Sequence, residues 1–368
     1  MGTEKVTAFR EFVLKVHGRC NLSCDYCYVY ELADQRWRHR PAAMAPPTAD
    51  AAVDRIAEHA ATHHLDHVRL VLHGGEPLLA GTTALRRVLT RARDRVPTPV
   101  RFALQTNAAL LTPAFCDLFD EFDVAVGVSL DGTPADHDHH RRTRTGRGSH
   151  TATTRGLHLL TTTHPHLFAG LLCVIDPTHD PLDTLTALAA WNPPLVDLLL
   201  PHGTWATPPP HRTPDDPATP YGDWLTTAFD HWYTTGTPPV RLFTSLLDLI
   251  LGGSSTVEGL GTTASPQLVI ETDGTLERSD ILAAVAPTAS ATGLTVHHHR
   301  LDDALLPPPP LSATCTACPL LPVCGGGHPA HRLHPDTGLI TPSVYCPDLT
   351  RLITHALHRV TTDLEHLR

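Results

Sequence analysis

A chain of 368 residues, 41% hydrophobic and 18% charged, can bury a sizeable core and hold two or three domains at about 150 residues each, or one large barrel with an extension. Its 24 glycines and 34 prolines stay below the roughly 25–30% that marks low-complexity disorder. A net charge of −10 argues against duplex binding, which needs a clustered basic surface.

The N-terminal segment mixes Glu4, Lys5, Arg10, Glu11 and Lys15 among its apolar residues, so no signal-peptide core is present. The longest apolar run, 168–175, has eight residues, against the roughly 20 of a membrane span. The composition therefore predicts a cytoplasmic protein that meets neither membrane nor nucleic acid. Short apolar runs at 12–16, 68–72, 102–104, 124–130, 168–175 and 196–200 read as six strands. Helical faces lie between them: Val53, Ile56, Ala57 and Ala60, then Leu85, Val88, Leu89 and Ala92, then Phe115, Leu118, Phe119 and Phe122. Thr112-Pro113 supplies an N-cap and first-turn proline for the last of these. Six strand–helix repeats predict parallel strands with right-handed crossovers; periodicity alone allows an open sheet or a partial barrel.

The alternation stops near residue 205. Pro193-Pro194, Pro208 to Pro210 and Pro214 to Pro220 make a bridge over 206–240, whose helix carries Tyr221, Trp224, Leu225, Ala228 and Trp232 on one face. A third region spans 241–368. Within it, 268–272 and 275–278 flank Asp273-Gly274 and read as a hairpin, with 268–272 offering a sheet edge to an extended peptide. Pro307 to Pro310 predict a stiff spacer.

The nine cysteines are clustered, and with no secretion signal they suggest metal rather than disulfides. Cys20, Cys24 and Cys27 offer three thiolates on a loop after the first strand. A closed zinc site takes four ligands, as does an ordinary iron–sulfur cluster; three leave one iron of a 4Fe–4S cluster open to a further ligand. Zinc with a remote fourth ligand such as His17 is the alternative. His73-Gly-Gly-Glu76-Pro77 follows the second strand, Gln105-Thr106-Asn107 the third, and Ser129-Leu-Asp131-Gly132 the fourth. These are C-terminal strand ends, where α/β folds place ligands. Cys315-x2-Cys318-x5-Cys324 with Cys346 supplies four more thiolates, a pattern shared by zinc ribbons and iron–sulfur sites.

The order Cys-x3-Cys-x2-Cys, Gly-Gly-Glu-Pro and Ser-x-Asp-Gly on successive strands resembles the radical S-adenosylmethionine (SAM) superfamily. The resemblance implies an α/β fold, a (β/α)6 partial TIM barrel at 1–205. It implies that Cys20, Cys24 and Cys27 hold a 4Fe–4S cluster whose open iron SAM chelates. Gly74 and Gly75 would receive the SAM ammonium beside Glu76, Tyr26 would sit by the adenine, and Asn107 and Ser129 would meet the ribose or carboxylate. Arg141, or its neighbour Arg142, would pair the carboxylate. The C-terminal cysteines are similar to the SPASM extension of radical SAM peptide maturases, an α+β iron–sulfur domain. The first-auxiliary-site cysteines of that domain are replaced here: His328 and Ser279 stand at two of the positions, and no cysteine lies between Cys173 and Cys315. Cys315, Cys318, Cys324 and Cys346 would then hold one auxiliary 4Fe–4S cluster, with His328 a remote candidate ligand and 297–299 a surface histidine run. Asp280 matches the proton-accepting aspartate of related sulfatase-maturing enzymes.

Finer motifs, namely His17-Gly-Arg-Cys-Asn-Leu-Ser-Cys-Asp-Tyr-Cys-Tyr-Val-Tyr-Glu31, Leu199-Leu-Pro-His-Gly-Thr-Trp205, Glu271-Thr-Asp-Gly274 and Cys324-Gly-Gly-Gly327 with Pro342-Ser-Val-Tyr-Cys346, resemble the FxsB family of cyclophane-forming maturases. This implies a ribosomal precursor peptide as substrate, a one-electron donor such as flavodoxin or ferredoxin, and substrate contacts from His202 and Trp205. Related outcomes are thioether, ether or epimerised products, and a zinc-binding protein without activity is the non-enzymatic alternative. Only 19 residues precede Cys20, which predicts that no separate leader-binding domain precedes the barrel.

Overall fold

A computed structural model describes residues 7–213, 216–262, 267–283, 285–286, 289–307 and 309–366; Pro214 of the bridge and Pro308 of the spacer lie outside them. The elements in chain order begin with β1 (Glu11–His17), β2 (Leu22–Cys24), α1 (Pro46–Thr62), β3 (Val68–Gly74), α2 (Gly81–Arg95), β4 (Val100–Thr106), α3 (Pro113–Phe122) and β5 (Ala125–Ser129). Then come α4 (Pro134–His140), β6 (Arg141–Thr143), α5 (His150–Thr163), β7 (Phe168–Val174), α6 (Pro181–Ala189) and β8 (Val196–Leu199). The chain continues through α7 (Pro220–Thr235), α8 (Arg241–Ile250), β9 (Gln267–Ile270), β10 (Thr275–Glu277), α9 (Asp280–Ala283) and β11 (Ala291–Thr295). It ends with α10 (Ala313–Thr316), α11 (Leu321–Cys324) and α12 (Cys346–His366). The six predicted strands are present as β1, β3, β4, β5, β7 and β8.

Contacts divide the chain into two units, one of 1–130, 137–170 and 266–307, the other of 131–136, 171–265 and 308–368. These limits do not follow the boundaries drawn at 205 and 240. The hairpin at 267–277 joins the first unit because β9 pairs in parallel with β1, Phe12 opposite Leu268. That pairing satisfies backbone groups that a terminal barrel strand would leave open.

In the first unit the strand order is β11-β10-β9-β1-β3-β4-β5. Phe12 faces Leu70, Leu70 faces Phe102, and Leu104 faces Val126, all in parallel register. Five consecutive residues of β1 are buried, the continuous pattern of a strand covered on both faces. Phe12, Leu14, Leu72, Val126 and Val128 are fully buried, each worth about 1.5–3 kcal/mol of transfer free energy. The stripes read from the sequence are the buried faces of α1, α2 and α3. Thr112 does stand at the N-cap of α3, but its side chain makes no capping bond; Pro113 fills the first turn, and Asp123 ends the helix in the left-handed region. The predicted peptide-accepting edge at 268–272 is not an edge. β9 lies between β1 and β10, and β11 ends the order.

In the second unit β7 and β8 pair in parallel, Leu171 opposite Val196. α7 meets α12 through Gly222, Phe229 and Tyr233, not through the face read from the sequence, whose Trp224 donates to the His179 carbonyl at 2.9 Å and whose Trp232 meets Phe243 at 5.4 Å. Gly222 is required there, since a Cβ would stand 2.9 Å from the Asp348 carbonyl oxygen. Tyr221 meets Tyr345 edge-on at 5.2 Å between centroids, and the Asp348 carboxylate accepts from the Gly222 amide at 2.9 Å. Pro201 accepts from the buried Tyr345 hydroxyl, so the aromatic pair is tied as well as packed.

Candidate active site

The cysteine loop leaves the C-terminal end of β1 and folds against the end of β3. Two amides fix this contact: Gly75 donates to the His17 carbonyl at 2.9 Å and Glu76 to the Arg19 carbonyl at 3.0 Å. The glycines admit that backbone. A Cβ on Gly74 would lie 2.1 Å from the His17 oxygen, and one on Gly75 1.8 Å from the Tyr30 hydroxyl and 2.6 Å from the Arg19 carbonyl. Their close approach is thus first to the cysteine loop of the chain itself.

Glu76 is buried and engaged. Its Oε1 accepts from the Leu78 amide at 3.0 Å and the Thr106 hydroxyl at 2.7 Å, and its Oε2 accepts from the Asn107 amide at 2.9 Å. Burial pushes this carboxyl up, while the Asn107, Thr106 and Leu78 donors pull it back. The carboxylate therefore pins the end of β4 to the end of β3. Asn107 in turn donates to Asn21 at 2.9 Å and reaches within 3.8 Å of the Cys20 sulfur. Ser129, at the end of β5, accepts from Gln105 at 3.0 Å. β2 pairs with β6 so that Cys24 stands opposite Arg141, and Arg141 donates to the Tyr26 hydroxyl at 2.7 Å. Asn107 thereby joins Glu76 to Cys20, and Arg141 joins Tyr26 to the strand that carries Cys24.

The three thiols suit a cluster better than an empty loop. Burial, with Glu76, Cys24 and Cys27 adding negative charge, pushes Cys20 up to about 12. Burial also raises Cys27, against the Val29 and Tyr30 amides and the charges of Arg141 and Lys15. A bound cation at Cys20 and Cys27 would offset that burial and favour their thiolates. The Tyr30 hydroxyl, buried without a hydrogen-bond partner, lies in the field of Cys20 and Cys27 and is a spare donor for such a group.

Asp280 opens on the same place. A cavity of about 40 Å³ is lined by Lys15, Tyr28, Gly74, Gly75, Glu271 and Asp280, among others. Asp280 Oδ2 accepts from Lys15 Nζ at 3.0 Å and from the Tyr28 hydroxyl at 2.7 Å. Burial alone would raise this carboxyl, but Lys15, His73 and the Tyr28 hydrogen bond outweigh it and hold Asp280 well below the usual carboxylate range. Burial works to lower Lys15, and Asp280 and Glu271 more than restore it. His73 is pushed down to about 4 by burial and by Lys15. The motif reading singled out Asp280 and missed Lys15, Tyr28 and Glu271. A signal was available: Lys15 is a cation inside an otherwise apolar strand, and such a residue needs a buried counter-charge.

The second unit carries its own constellation. Cys315 lies in α10, Cys324 closes α11 and Cys346 opens α12. Burial raises Cys324, and the nearby Cys346, Cys315 and Cys318 raise it further. After Cys324 come three consecutive glycines at φ +65, +83 and +70, a left-handed turn open only to residues without a Cβ. The buried Arg332 donates to the Gly326 and Gly327 carbonyls at 3.0 and 2.7 Å. Burial lowers it, and Cys315 and Cys324 act against that, so a cation stands in the field of two of the four thiols. Sequence reading missed Arg332. His328 is not placed as a ligand: its Nδ1 accepts from Ala330 at 3.1 Å and its Nε2 meets Glu258 at 2.9 Å. His202 contacts His331 at 2.9 Å, and Trp205 donates to the Pro342 carbonyl at 2.8 Å. Trp205 also lines an open groove of about 760 Å³ with His334, Pro342 and Cys346. His297 and His298 are exposed.

These features define a radical SAM α/β fold with a mostly parallel sheet. Residues 14–184 match the radical SAM superfamily model. An uncharacterised protein of Synechocystis sp. is 38% identical over 141 residues, 36% of this chain and 33% of its own length. The chain thus matches about a third of the first such relatives. A cysteine-type anaerobic sulfatase-maturating enzyme of Clostridium perfringens is 26% identical over 275 residues, 71% of each chain. Among solved structures, native anSMEcpe with bound AdoMet and Cp18Cys peptide superposes with a TM-score of 0.80 at 19% identity, covering 97% of this chain and 99% of that one. Streptococcus suis SuiB bound to precursor peptide SuiA does so with a TM-score of 0.61 at 13% identity, covering 92% and 76%. No helix among the described residues is long and apolar enough to cross a membrane.

Proposed function

We propose that the protein is a radical SAM maturase that joins an aromatic ring carbon to the β-carbon of a nearby residue in a ribosomally made precursor peptide. Cys20, Cys24 and Cys27 would hold the 4Fe–4S cluster, with SAM against Gly74, Gly75, Asn107, Ser129, Tyr26 and Arg141. When bound and reduced by one electron, this pair supplies an adenosyl radical able to take a hydrogen atom from the peptide. The resulting β-carbon radical adds to the ring, and restoring aromaticity releases one electron and one proton; the peptide loses two hydrogens in all.

The observation carrying this reading is the carboxylate of Asp280, held ionised by Lys15 and Tyr28 at a cavity it shares with Gly74 and Gly75. A strongly depressed carboxylate is a weak base, yet an oxidised ring intermediate is a strong acid, so a fixed acceptor in place suffices. Lys15 keeps that acceptor charged. Cys315, Cys318, Cys324 and Cys346, with Arg332 as neighbouring cation, would hold an auxiliary cluster fit to accept the electron. The groove beside Trp205 and the contacts of His202 are candidate peptide surfaces.

Coexpression with the short peptide encoded beside the gene, followed by tandem mass spectrometry, tests this. A loss of two hydrogens with no backbone cleavage between the linked residues supports the ring. A hydrazine-reactive aldehyde would replace it with a second reading, side-chain oxidation of the kind suggested by the cysteine-type sulfatase-maturating relative of Clostridium perfringens: from serine it appears at the same loss of two hydrogens, and from cysteine with the further exchange of sulfur for oxygen as hydrogen sulfide leaves and water enters.

A further inference from the structure

At the opposite end of β1 from the cysteines lies a second group of metal-binding side chains. His59, in the last turn of α1, and His63, which caps its end, stand four residues apart, and their ring centroids are 4.4 Å apart. Asp302, in the short turn at 301–304, points one oxygen at both rings: Oδ1 is 2.5 Å from His59 Nδ1 and 2.8 Å from His63 Nε2. The three ligand atoms lie within 4.8 Å of one another. Asp302 Oδ2 faces Arg300 at 3.7 Å, which leaves Oδ1 to the imidazoles. The His59 side chain is 1% exposed, and those of Asp302 and His63 are 27% and 31% exposed. Phe9 and Phe12 pack against the His59 ring at 5.7 and 5.9 Å, so one ligand is fixed in the core and two border solvent. All these residues belong to the first unit.

We propose that His59, His63 and Asp302 bind a divalent transition metal of the zinc class, with water at the fourth position. Two neutral imidazoles and one carboxylate suit a borderline cation. Ligand atoms around tetrahedral zinc stand about 3.3 Å apart, so the Asp302 oxygen must draw back about 0.8 Å from His59 and about 0.5 Å from His63, and both Asp302 and His63 have solvent on one side. The buried His59 needs no movement. Such an ion clips the turn that follows the β9–β11 hairpin onto α1, and it takes no part in the radical site at the other end of the strands.

The test uses tag-free, cluster-loaded protein equilibrated with zinc and then passed over a chelating resin, with zinc and iron counted per chain. Wild type is expected to retain one zinc beyond the His63→Gln and Asp302→Asn variants, at equal iron content. Added zinc is expected to raise the thermal midpoint of wild type and to leave that of His63→Gln unmoved. Equal zinc in wild type and variants would mean diffuse binding to a histidine-rich surface and would overturn the site. No retained zinc, together with no thermal shift in wild type, would overturn it as well. The partly exposed His63 keeps the test sound should Asp302→Asn fold poorly.

Discussion

Asp280 receives two donors, Lys15 Nζ and the Tyr28 hydroxyl, and each has a separable effect. Asp280→Asn keeps the shape and removes the proton acceptor. Cross-linking is expected to fall at least about 100-fold, while SAM cleavage to 5′-deoxyadenosine, read by chromatography, continues. Full cross-linking by the variant would remove Asp280 as the base. Tyr28→Phe deletes one hydrogen bond to a charged group, worth about 1.5–3 kcal/mol, and is expected to slow cross-linking about tenfold. A wild-type rate for Tyr28→Phe would mean that Lys15 alone holds the carboxylate. At this scale the motif made Asp280 legible, but Lys15 and Tyr28 lie 265 and 252 positions away, and no local pattern connects them. Glu76 shows the converse: its motif is plain in the sequence, but its engagement by Leu78, Thr106 and Asn107 emerges only when β3 and β4 are side by side.

Elements are held by what can approach them. The end of β3 lies so close to the cysteine loop that Gly75→Ala would drive a methyl into Tyr30 and Arg19. The loop must shift, and iron per chain after reconstitution is expected to fall well below that of wild type, with a lower thermal midpoint. Wild-type iron content in this variant would show that the loop can yield without losing its ligands. The C-terminal cysteines make a second element-scale prediction. With Cys20, Cys24 and Cys27 all changed to alanine, about four irons per chain are expected to remain if α10, α11 and α12 present one cluster. Loss of all iron would refute the auxiliary site. The strands and helical stripes were readable because burial imposes a two- or 3.6-residue period on the chain. The pairing of β9 with β1 was not readable, because a period says which face is buried and nothing about which strand lies alongside.

For the molecule as a whole, acid is the informative stress. His137 is fully buried, and burial together with Arg141 and His150 lowers it to about 2; His73 is lowered to about 4. Unfolded histidines take up protons near pH 6.5, so the unfolded chain binds more protons below that value. Stability from these rings is therefore complete above about pH 6.5 and declines as pH falls toward their folded values. Thermal midpoints measured from pH 7 to 5 should fall, and His137→Gln should flatten that slope; an unchanged slope would exclude His137 as a source. The sequence by itself determined the six-strand α/β order, the two cysteine sets, the helix faces and the hairpin turn at Asp273-Gly274, since each is written in local spacing. Only the tertiary structure decided that the hairpin joins the first sheet, that Lys15 and Tyr28 meet Asp280, and that His59 and His63 face Asp302. Those are encounters between distant segments, decided when strands pair and buried charges find partners, and no stretch of sequence carries both halves of any of them.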